Sequence, residues 1–229
     1  MLINKVYKFR IYPNEKQNKI ILNTLGCTRY IYNYYLNKQI DLYEKSKKIL
    51  TIKECLEDFK NLTNEKPFLK DVDLSPLRAA IFNMIDNFKK NLNKANKYPK
   101  FRRKYDNCTY KTDFFKSNLY GDNIKLDLIN KSITLPKLKE IPIKGYKNLY
   151  NLDAKIISVI IIKETTDKLY ASVIVEENIN NEKKFPSTIV GIDLGIKDLV
   201  ITSDLKKYTN LKFLNKYEKK NSKKKKKII

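Results

Sequence analysis

The residue best placed for chemistry is Asp193, which lies in a short apolar stretch between two glycines. Residues 188–195 read Thr-Ile-Val-Gly-Ile-Asp-Leu-Gly, and such a short, β-branched run predicts a strand buried on both faces. A carboxylate there is costly unless it is paired or binds a cation. Gly191 and Gly195 would let another backbone or a ligand approach closely. Asp193 is therefore a candidate metal ligand and catalytic residue of a nuclease, or else an aspartate that only ends the strand and caps its turn.

A second group of candidates combines positive charge with aromatic rings. Residues 98–105 read Tyr-Pro-Lys-Phe-Arg-Arg-Lys-Tyr, in which four cations are interleaved with rings. Arginine and lysine contact phosphates, and aromatic rings stack on bases or sugars. The alternative is a solvated basic linker. The residues predicted to contact nucleic acid are Lys100, Phe101, Arg102, Arg103 and Lys104.

Two shorter patterns add candidates of the same kind. Apolar and charged residues alternate over residues 5–12, which predicts a half-buried strand. Its outer face carries Lys8 and Arg10, which either contact nucleic acid or are simply solvated. Arg29 and Asn33 are spaced as neighbours on one face of a helix, where they either hold a nucleic-acid backbone or organise their own surroundings. The nearby tyrosines offer stacking faces, although their helical spacing favours a core position. These are Tyr30, Tyr32, Tyr34 and Tyr35.

The charge balance indicates an anionic partner. The 229 residues include 48 Lys and Arg against 25 Asp and Glu, which gives a net charge of +23. That excess is expected of a protein that neutralises phosphates, and a generic basic composition is the alternative. Histidine, the commonest general base, is absent from the sequence, so catalysis would have to rest on carboxylates and a metal.

The cysteine content and the hydropathy of the sequence limit the class of protein and its cellular location. Cys27, Cys55 and Cys108 are odd in number and widely spaced, with no CxxC pair, so neither a disulfide framework nor a zinc finger is indicated. We expect a reducing, cytoplasmic location. No apolar run reaches the ~18 residues of a membrane span, and the start of the chain lacks the apolar core of a signal peptide.

A helical region is predicted between the first strand and the basic segment. Asn14 with Gln17 favours a helix start, and apolar residues follow at helical spacing. The sequence Thr51-Ile52-Lys53-Glu54 predicts a capping box that opens a second helix, to about residue 62. Ser75 followed by Pro76 predicts the N-cap of a third helix, to about residue 96.

The pattern after the basic segment is that of β-structure. Alternating apolar residues predict strands at 124–128 and 133–135, and two stronger strands, 156–163 and 169–176, form a predicted hairpin. A polar stretch with Pro186 then marks a boundary, after which a new sheet begins. The predicted domains are a β-domain of residues 1–12 and 98–185, a helical domain of residues 13–97, and a third domain of residues 186–229, with a strand at 199–202.

Taken in order, these motifs resemble the TnpB (OrfB) proteins of bacterial insertion sequences. These are RNA-guided DNA nucleases related to the type V CRISPR effectors and often described as transposases. Each motif is weak alone, but their joint order through the whole chain is specific. The matching segments are Tyr7-Lys8-Phe9-Arg10-Ile11-Tyr12-Pro13, the helix with Arg29 and Asn33, Leu74-Ser75-Pro76-Leu77-Arg78-Ala79-Ala80, Tyr98-Pro99-Lys100-Phe101, Thr134-Leu135-Pro136-Lys137-Leu138, Val190-Gly191-Ile192-Asp193-Leu194-Gly195 and Lys212-Phe213-Leu214.

The resemblance implies an α+β fold. A wedge-type antiparallel β-barrel would carry an inserted helical bundle with a helix-turn-helix-like start, followed by the first strands of an RNase H-like (RuvC) domain. Asp193 would be the first acidic ligand of that nuclease, in which Mg²⁺ ions held by carboxylates activate water and stabilise the leaving oxygen. Guide RNA and DNA would be the partners, with base pairing reading the target sequence.

The sequence also departs from the family pattern. Family members have two further acidic ligands and a CxxC…CxxC zinc module, and Asp198 and Asp204 fit neither role. We therefore expect a truncated copy that lacks the zinc site, has an unpaired edge in its last sheet and does not cleave DNA by itself. Two alternatives stay open. One is a non-catalytic, repressor-like nucleic-acid-binding protein; the other is an ATPase fragment of the actin and chaperone superfamily, which shares Gly-Ile-Asp-Leu-Gly on its first strand.

Overall fold

The computed structural model describes residues 2–95, 98–104, 108–118, 121–145, 154–178 and 189–218. The chain divides into two compact units, residues 1–180 and 181–229, and each is described by itself. Several positions named above lie outside the described residues. They are residues 96 and 97 at the predicted end of the helical domain, Tyr105, the predicted boundary at 185 and 186, and Thr188. The last part of the predicted third domain, residues 219–229, also lies outside them.

The first unit has nine strands in its described part, β1 (Leu2–Ile11), β2 (Thr109–Asp113), β3 (Lys116–Ser117), β4 (Gly121–Asp122), β5 (Lys125–Asp127), β6 (Ser132–Leu135), β7 (Lys139–Lys144), β8 (Lys155–Lys163) and β9 (Leu169–Asn178). Seven of them form an antiparallel sheet in the order β2-β8-β9-β1-β7-β6-β5. The first strand starts at Leu2, earlier than predicted, because all ten of its residues pair with β9. The short strands β3 and β4 form a separate two-stranded ribbon.

One face of the sheet builds the first hydrophobic core. Phe9 and Ile11 are buried while Lys8 and Arg10 are exposed, so the predicted alternation is confirmed. The predicted hairpin is also confirmed as β8 and β9, and Asp167 in its turn adopts a left-handed conformation with φ 59°. The core around Phe9 is completed chiefly by Val159, Ile161, Ala171, Val173, Val175, Ile133 and Ile141.

The sheet curls without closing, so the predicted β-barrel is only a half-barrel. β1 pairs with β9 along its whole length, but its described pairs with β7 are only Arg10 opposite Lys144 and Ile11 opposite Ile143. The strands β2 and β5 remain as the two edges. The architecture is therefore a mixed helix and sheet fold built on a curled antiparallel sheet.

Three α-helices lie between β1 and β2: α1 (Glu15–Ser46), α2 (Ile52–Glu65) and α3 (Leu74–Ala95), with a 3-10 turn at Pro67–Lys70. The first two begin as predicted. The Asn14 side chain accepts a hydrogen bond from the Gln17 N–H at 2.9 Å, and the Gln17 side chain accepts one from the Asn14 N–H at 2.9 Å. Thr51 and Glu54 form the same reciprocal capping box. In both helices the caps satisfy backbone donors that have no partner within the helix.

The third helix starts differently from the prediction that Ser75 is its N-cap. It begins at Leu74, and the Asp73 carboxylate accepts a hydrogen bond from the Ser75 N–H at 3.1 Å. The Ser75 hydroxyl instead accepts a hydrogen bond from the Asp113 N–H of β2 at 3.1 Å. Because a carboxylate accepts more strongly than a hydroxyl, Asp73 takes the capping role and Ser75 ties the helix to the sheet edge.

The helices enclose a second hydrophobic core. Tyr32 and Tyr35 are buried in it, so the core interpretation is correct for these two rings. Tyr30 and Tyr34 are half-buried and stack on each other with ring centroids 6.1 Å apart. Tyr98 also joins this core, stacked on Phe88 at 5.7 Å. None of the helices in the described ranges is both long enough and apolar enough to cross a bilayer.

In the second unit the described residues form a three-stranded antiparallel sheet in the order β10-β11-β12 and a helical segment at residues 213–218. Its strands are β10 (Ile192–Leu194), β11 (Asp198–Thr202) and β12 (Lys207–Thr209). The prediction of a strand buried on both faces is wrong here, because Ile192 is 65% exposed and Leu194 is 75% exposed. A single layer of short strands cannot bury its own apolar side chains, since burial requires a second packed layer.

Candidate nucleic-acid interface

The basic segment 98–104 is fastened to helix α1 through its backbone. The side-chain amide of Asn33 donates a hydrogen bond to the Arg102 carbonyl oxygen at 2.9 Å. Its side-chain oxygen accepts a hydrogen bond from the Arg102 N–H at 2.8 Å. Both polar atoms of Asn33 are thus engaged with one residue of the segment, so Asn33 organises the surface and does not present a free amide to a ligand.

Arg29, one helical turn before Asn33, extends the same attachment. Its guanidinium lies 3.5 Å from the Lys104 carbonyl oxygen. The Arg102 guanidinium lies over the Tyr32 ring, 3.7 Å from its centroid. Burial lowers the pKa of Arg102, while the adjacent Tyr32 acts in the opposite direction. Because arginine stays protonated even so, this contact holds a half-buried positive charge in a fixed position.

These contacts form one wall of a cleft of about 260 Å³, which we call the basic cleft. Its described lining carries four cations and no carboxylate. The opposite wall comes from the ends of β2 and β8, which are joined by a hydrogen bond from the Lys163 N–H to the Cys108 carbonyl oxygen at 2.8 Å. The basic cleft is lined by Leu22, Leu25, Gly26, Thr28, Arg29, Arg102, Lys104, Cys108, Thr109 and Lys163.

The other residues predicted in the basic segment are exposed to solvent. Lys100, Arg103 and Lys104 are exposed, and the Phe101 ring is 47% exposed. An exposed ring among cations is the arrangement that stacks on a base while neighbouring cations contact phosphates. Of the five residues predicted in this segment, Arg102 and Lys104 line the basic cleft.

Lys8 and Arg10 lie on the outer face of the sheet. The Lys8 ammonium is 4.3 Å from the centroid of the Tyr170 ring and 3.2 Å from a Glu164 oxygen. The Arg10 guanidinium is 4.9 Å from the centroid of the Tyr12 ring. In the sheet, Arg10 of β1 lies opposite Tyr170 of β9, which in turn lies opposite Ile162 of β8. Ile162 then lies opposite Thr109 of β2. The outer face therefore runs without a break from Arg10 to the edge of the basic cleft.

Sequence reasoning missed the part of the cleft that the sheet supplies. Thr109 belongs to β2, a strand of mostly polar residues that gave little hydrophobic signal. Lys163 ends the predicted strand at 156–163, and its ammonium forms an ion pair with Asp167 at 2.5 Å. Its place opposite Arg29 depends on pairing between distant strands, which neither local spacing nor composition reveals.

Asp193 lies in the second unit, and its side chain is exposed. It sits opposite Ile201 of β11. A β-carbon at Gly195 would lie 2.9 Å from the Asp198 carbonyl oxygen, so a backbone does approach that glycine closely. Gly191 donates its N–H to the Ser203 hydroxyl at 3.0 Å.

A metal centre at Asp193 requires additional ligands nearby. Within the ranges that the structure describes, no group of three or more His, Cys, Asp or Glu residues could hold a metal ion. Two-metal phosphodiester cleavage uses several carboxylates around a shared site. The described residues do not fit such a centre, so they support no cleavage step.

Comparison with known proteins agrees with the sequence motifs. A helix-turn-helix domain of the OrfB proteins of IS605 matches residues 1–48, which here form β1 and α1. A protein of Escherichia coli (strain K12) named as an RNA-guided DNA endonuclease, InsQ, is 24% identical over 203 residues, covering 87% of this chain and 47% of that protein. One of Streptomyces pristinaespiralis, also named as an RNA-guided DNA endonuclease, is 27% identical over 217 residues, covering 92% and 50%. The chain thus spans about half the length of these curated relatives.

The fold has a counterpart among solved structures. A chain from the cryo-EM structure of a Cas12f1-sgRNA-target DNA complex superimposes with a TM-score of 0.52 at 12% identity. The match covers 96% of this chain and 68% of that one. At this level of identity the likeness concerns the fold, and it supports the mixed helix and curled-sheet architecture.

Proposed function

We propose that this chain, a member of the TnpB/OrfB family, binds guide RNA and DNA through the basic surface of its first unit. The surface consists of the basic cleft, the segment 98–104 and the outer face of β1. Binding is expected to depend mainly on phosphate contacts, which supply affinity without reading sequence. The target sequence would be read by base pairing within a bound RNA–DNA hybrid.

The observation that carries the proposal is the fastening of a cation-rich segment to α1 by Asn33. A free basic loop would lose conformational entropy on binding, whereas a segment already held in place loses less. The two hydrogen bonds of Asn33 and the stacking of Arg102 on Tyr32 fix the path of the segment before a ligand arrives. Fixed cations facing an open cleft are suited to a polyanion of defined shape.

The finer architecture implied by the family belongs to the same proposal. The half-barrel and its helices would correspond to the wedge and recognition domains, and residues 189–218 to the start of a RuvC-like domain. Asp193 would then be one carboxylate ligand of a magnesium centre whose other ligands are not among the described residues. We accordingly propose nucleic-acid binding, not cleavage, as the activity of residues 1–229, in the cytoplasm.

A salt titration tests the binding proposal. Fluorescence anisotropy would follow a labelled RNA hairpin and a labelled DNA strand with the purified chain. With about 6–10 phosphate contacts, affinity should fall roughly 10³–10⁵-fold between about 50 and 200 mM salt. A flat curve, or no binding at low salt, would refute the proposal.

A cleavage assay tests the assignment of Asp193 separately. The chain is incubated with Mg²⁺, target DNA and RNA carrying a matching guide, alongside an Asp193→Ala variant. We expect intact DNA from both proteins, because one exposed carboxylate cannot assemble a two-metal centre. Cleavage by the wild type that is lost in the variant would show that a complete nuclease centre forms.

A further inference from the structure

Gly26 occupies a position where the fold itself does not require glycine. It lies within the 32-residue helix α1, where glycine is the least favourable residue apart from proline. A β-carbon built there would meet no neighbouring atom within 4 Å, and its φ is outside the left-handed region. Neither close packing nor backbone conformation therefore explains the missing side chain.

The surroundings of Gly26 supply another explanation. The residue borders the basic cleft on one side and a second cleft of about 310 Å³ on the other. Leu22, one turn earlier, borders both clefts as well. Of the two residues that both clefts share, Gly26 is the one without a side chain, so it obstructs passage between them least.

The two clefts differ in chemistry. The basic cleft presents four cations, which suits a phosphate. The second cleft is lined by Leu22, Asn23, Gly26, Cys27, Phe68, Asp71 and Val72, and its Phe68 ring is 46% exposed. An exposed ring can stack on a base, and an amide and a carboxylate can pair with a base edge. The Asp71 carboxylate also disfavours a phosphate on that side.

We propose that one unpaired nucleotide crosses α1 at Gly26, with its phosphate in the basic cleft and its base in the second cleft against Phe68. This rests on the proposed function and specifies the form of nucleic acid that the first unit holds. A base inside a duplex is stacked and paired, so it cannot enter a separate cleft without leaving the helix. The proposal therefore commits to a single strand.

Substitution of Gly26 separates this role from folding. Gly26→Ala and Gly26→Leu fill open space and favour the helix, so both should raise the Tm, by about 2–4 °C. The same side chains would obstruct the crossing strand. We expect a severalfold loss of affinity for a labelled single-stranded oligonucleotide with Ala and a loss of roughly tenfold or more with Leu.

A matched control adds the same side chain elsewhere on α1. Asn37 is exposed and borders neither cleft, so Asn37→Leu should leave affinity unchanged. Phe68→Leu keeps an apolar side chain but removes the ring, and should weaken single-strand binding by roughly tenfold. Single-stranded RNA and DNA of one sequence are both titrated, and tighter binding of RNA or of DNA shows which strand the site holds.

The outcomes distinguish this inference from the proposed function. If wild type binds and Gly26→Leu binds equally tightly, the crossing at Gly26 is wrong while the proposed function stands. If Gly26→Leu weakens a blunt duplex as much as a single strand, the commitment to an unpaired nucleotide is wrong. If the wild type binds neither RNA nor DNA, the proposed function itself fails and takes this inference with it.

Discussion

The main sheets of the two units contain similar residues in opposite environments. In the first unit, Ile161 and Val173 are fully buried on the inner face of the curled sheet. In the second, Ile192 and Leu194 are 65% and 75% exposed on a ribbon of three short strands. The first sheet curls around its own core and is flanked by helices, whereas the three strands of the second unit stay largely exposed, as does the helical segment at 213–218. Apolar, β-branched strands therefore form a core only where a second layer covers them.

The same contrast separates the functional candidates. The cations of the first unit are held by contacts between distant residues, such as the pair of hydrogen bonds between Asn33 and Arg102. Asp193 of the second unit is exposed, without a metal-binding cluster among the described residues. The geometry of the first unit thus supports the proposed binding, whereas the described residues of the second unit hold no such cluster.

The largest expected difference is in the free energy of unfolding, between truncation of a buried isoleucine in the first unit and of an exposed one in the second. Ile161→Ala leaves a cavity in the first unit and should cost about 2–5 kcal/mol in the free energy of unfolding. Ile192→Ala removes an exposed side chain of the second unit and should change it by no more than about 0.5 kcal/mol. Urea unfolding followed by circular dichroism measures both. Equal costs would show that the second sheet is buried as deeply as the first.

A smaller difference, in stability and in RNA affinity, is expected between the alanine variants of two asparagines that make the same kind of contact. Asn33 bonds both atoms of its side-chain amide to the Arg102 backbone. Asn210 donates to the Ile196 carbonyl oxygen at 3.1 Å and accepts from the Lys212 N–H at 3.0 Å.

Asn33→Ala should cost about 1–3 kcal/mol and also weaken RNA binding, because the basic segment is released. Asn210→Ala should leave RNA affinity unchanged, which anisotropy and thermal denaturation would show together. RNA affinity that survives Asn33→Ala would mean that the fastening of the segment does not matter for binding.

The smallest effect is a pH dependence from Asp73. Burial raises the pKa of Asp73 above its ordinary value of 3.8, against the opposing effects of the Ser75 N–H, Lys137 and Arg78. The folded state then holds the proton more tightly than the unfolded chain does. This group therefore favours folding below about pH 3.8, and its contribution declines as the pH rises toward the raised folded pKa.

Asp73→Asn tests this pH dependence. Asparagine can still cap α3 but carries no charge, so the variant should gain stability relative to wild type through that pH window, by less than about 1 kcal/mol. Urea unfolding of both proteins from about pH 3 to pH 7 measures the difference. A stability difference between variant and wild type that shrinks with rising pH would contradict this prediction.

Asp193→Asn is the exposed counterpart and should leave stability at pH 7 unchanged within about 0.5 kcal/mol.

Local signals predicted the elements well where the residues that decide them are adjacent. Asn14 with Gln17 and Thr51 with Glu54 located two helix starts, and alternation around Phe9 gave the correct buried face. The strand β2 was missed because only Tyr110 and Thr112 of its residues face inward to a buried position. The N-cap at Ser75 was wrong because a stronger acceptor stands two residues earlier.

The candidate site was less predictable for a physical reason. Arg102 was predicted to contact nucleic acid, and it lines the basic cleft. Its contact with Asn33 spans 69 residues of chain, so no local pattern encodes it. Lys163 reaches the basic cleft only because β8 pairs with β2. Burial of the strand at Asp193 was predicted from residue type alone, whereas burial depends on what packs against it.

The most direct test of the account compares the salt dependence of RNA binding in two double variants. Arg29→Gln with Lys104→Gln removes two cations from the basic cleft, and Lys207→Gln with Lys216→Gln removes two exposed cations from the second unit. Anisotropy titrations across a range of salt concentrations give the slope of log affinity against log salt. For the cleft variant, we predict a slope whose magnitude is smaller than the wild-type value by about two. The slope of the second-unit variant should equal that of the wild type. Equal slopes for the two variants would contradict the assignment of binding to the first unit.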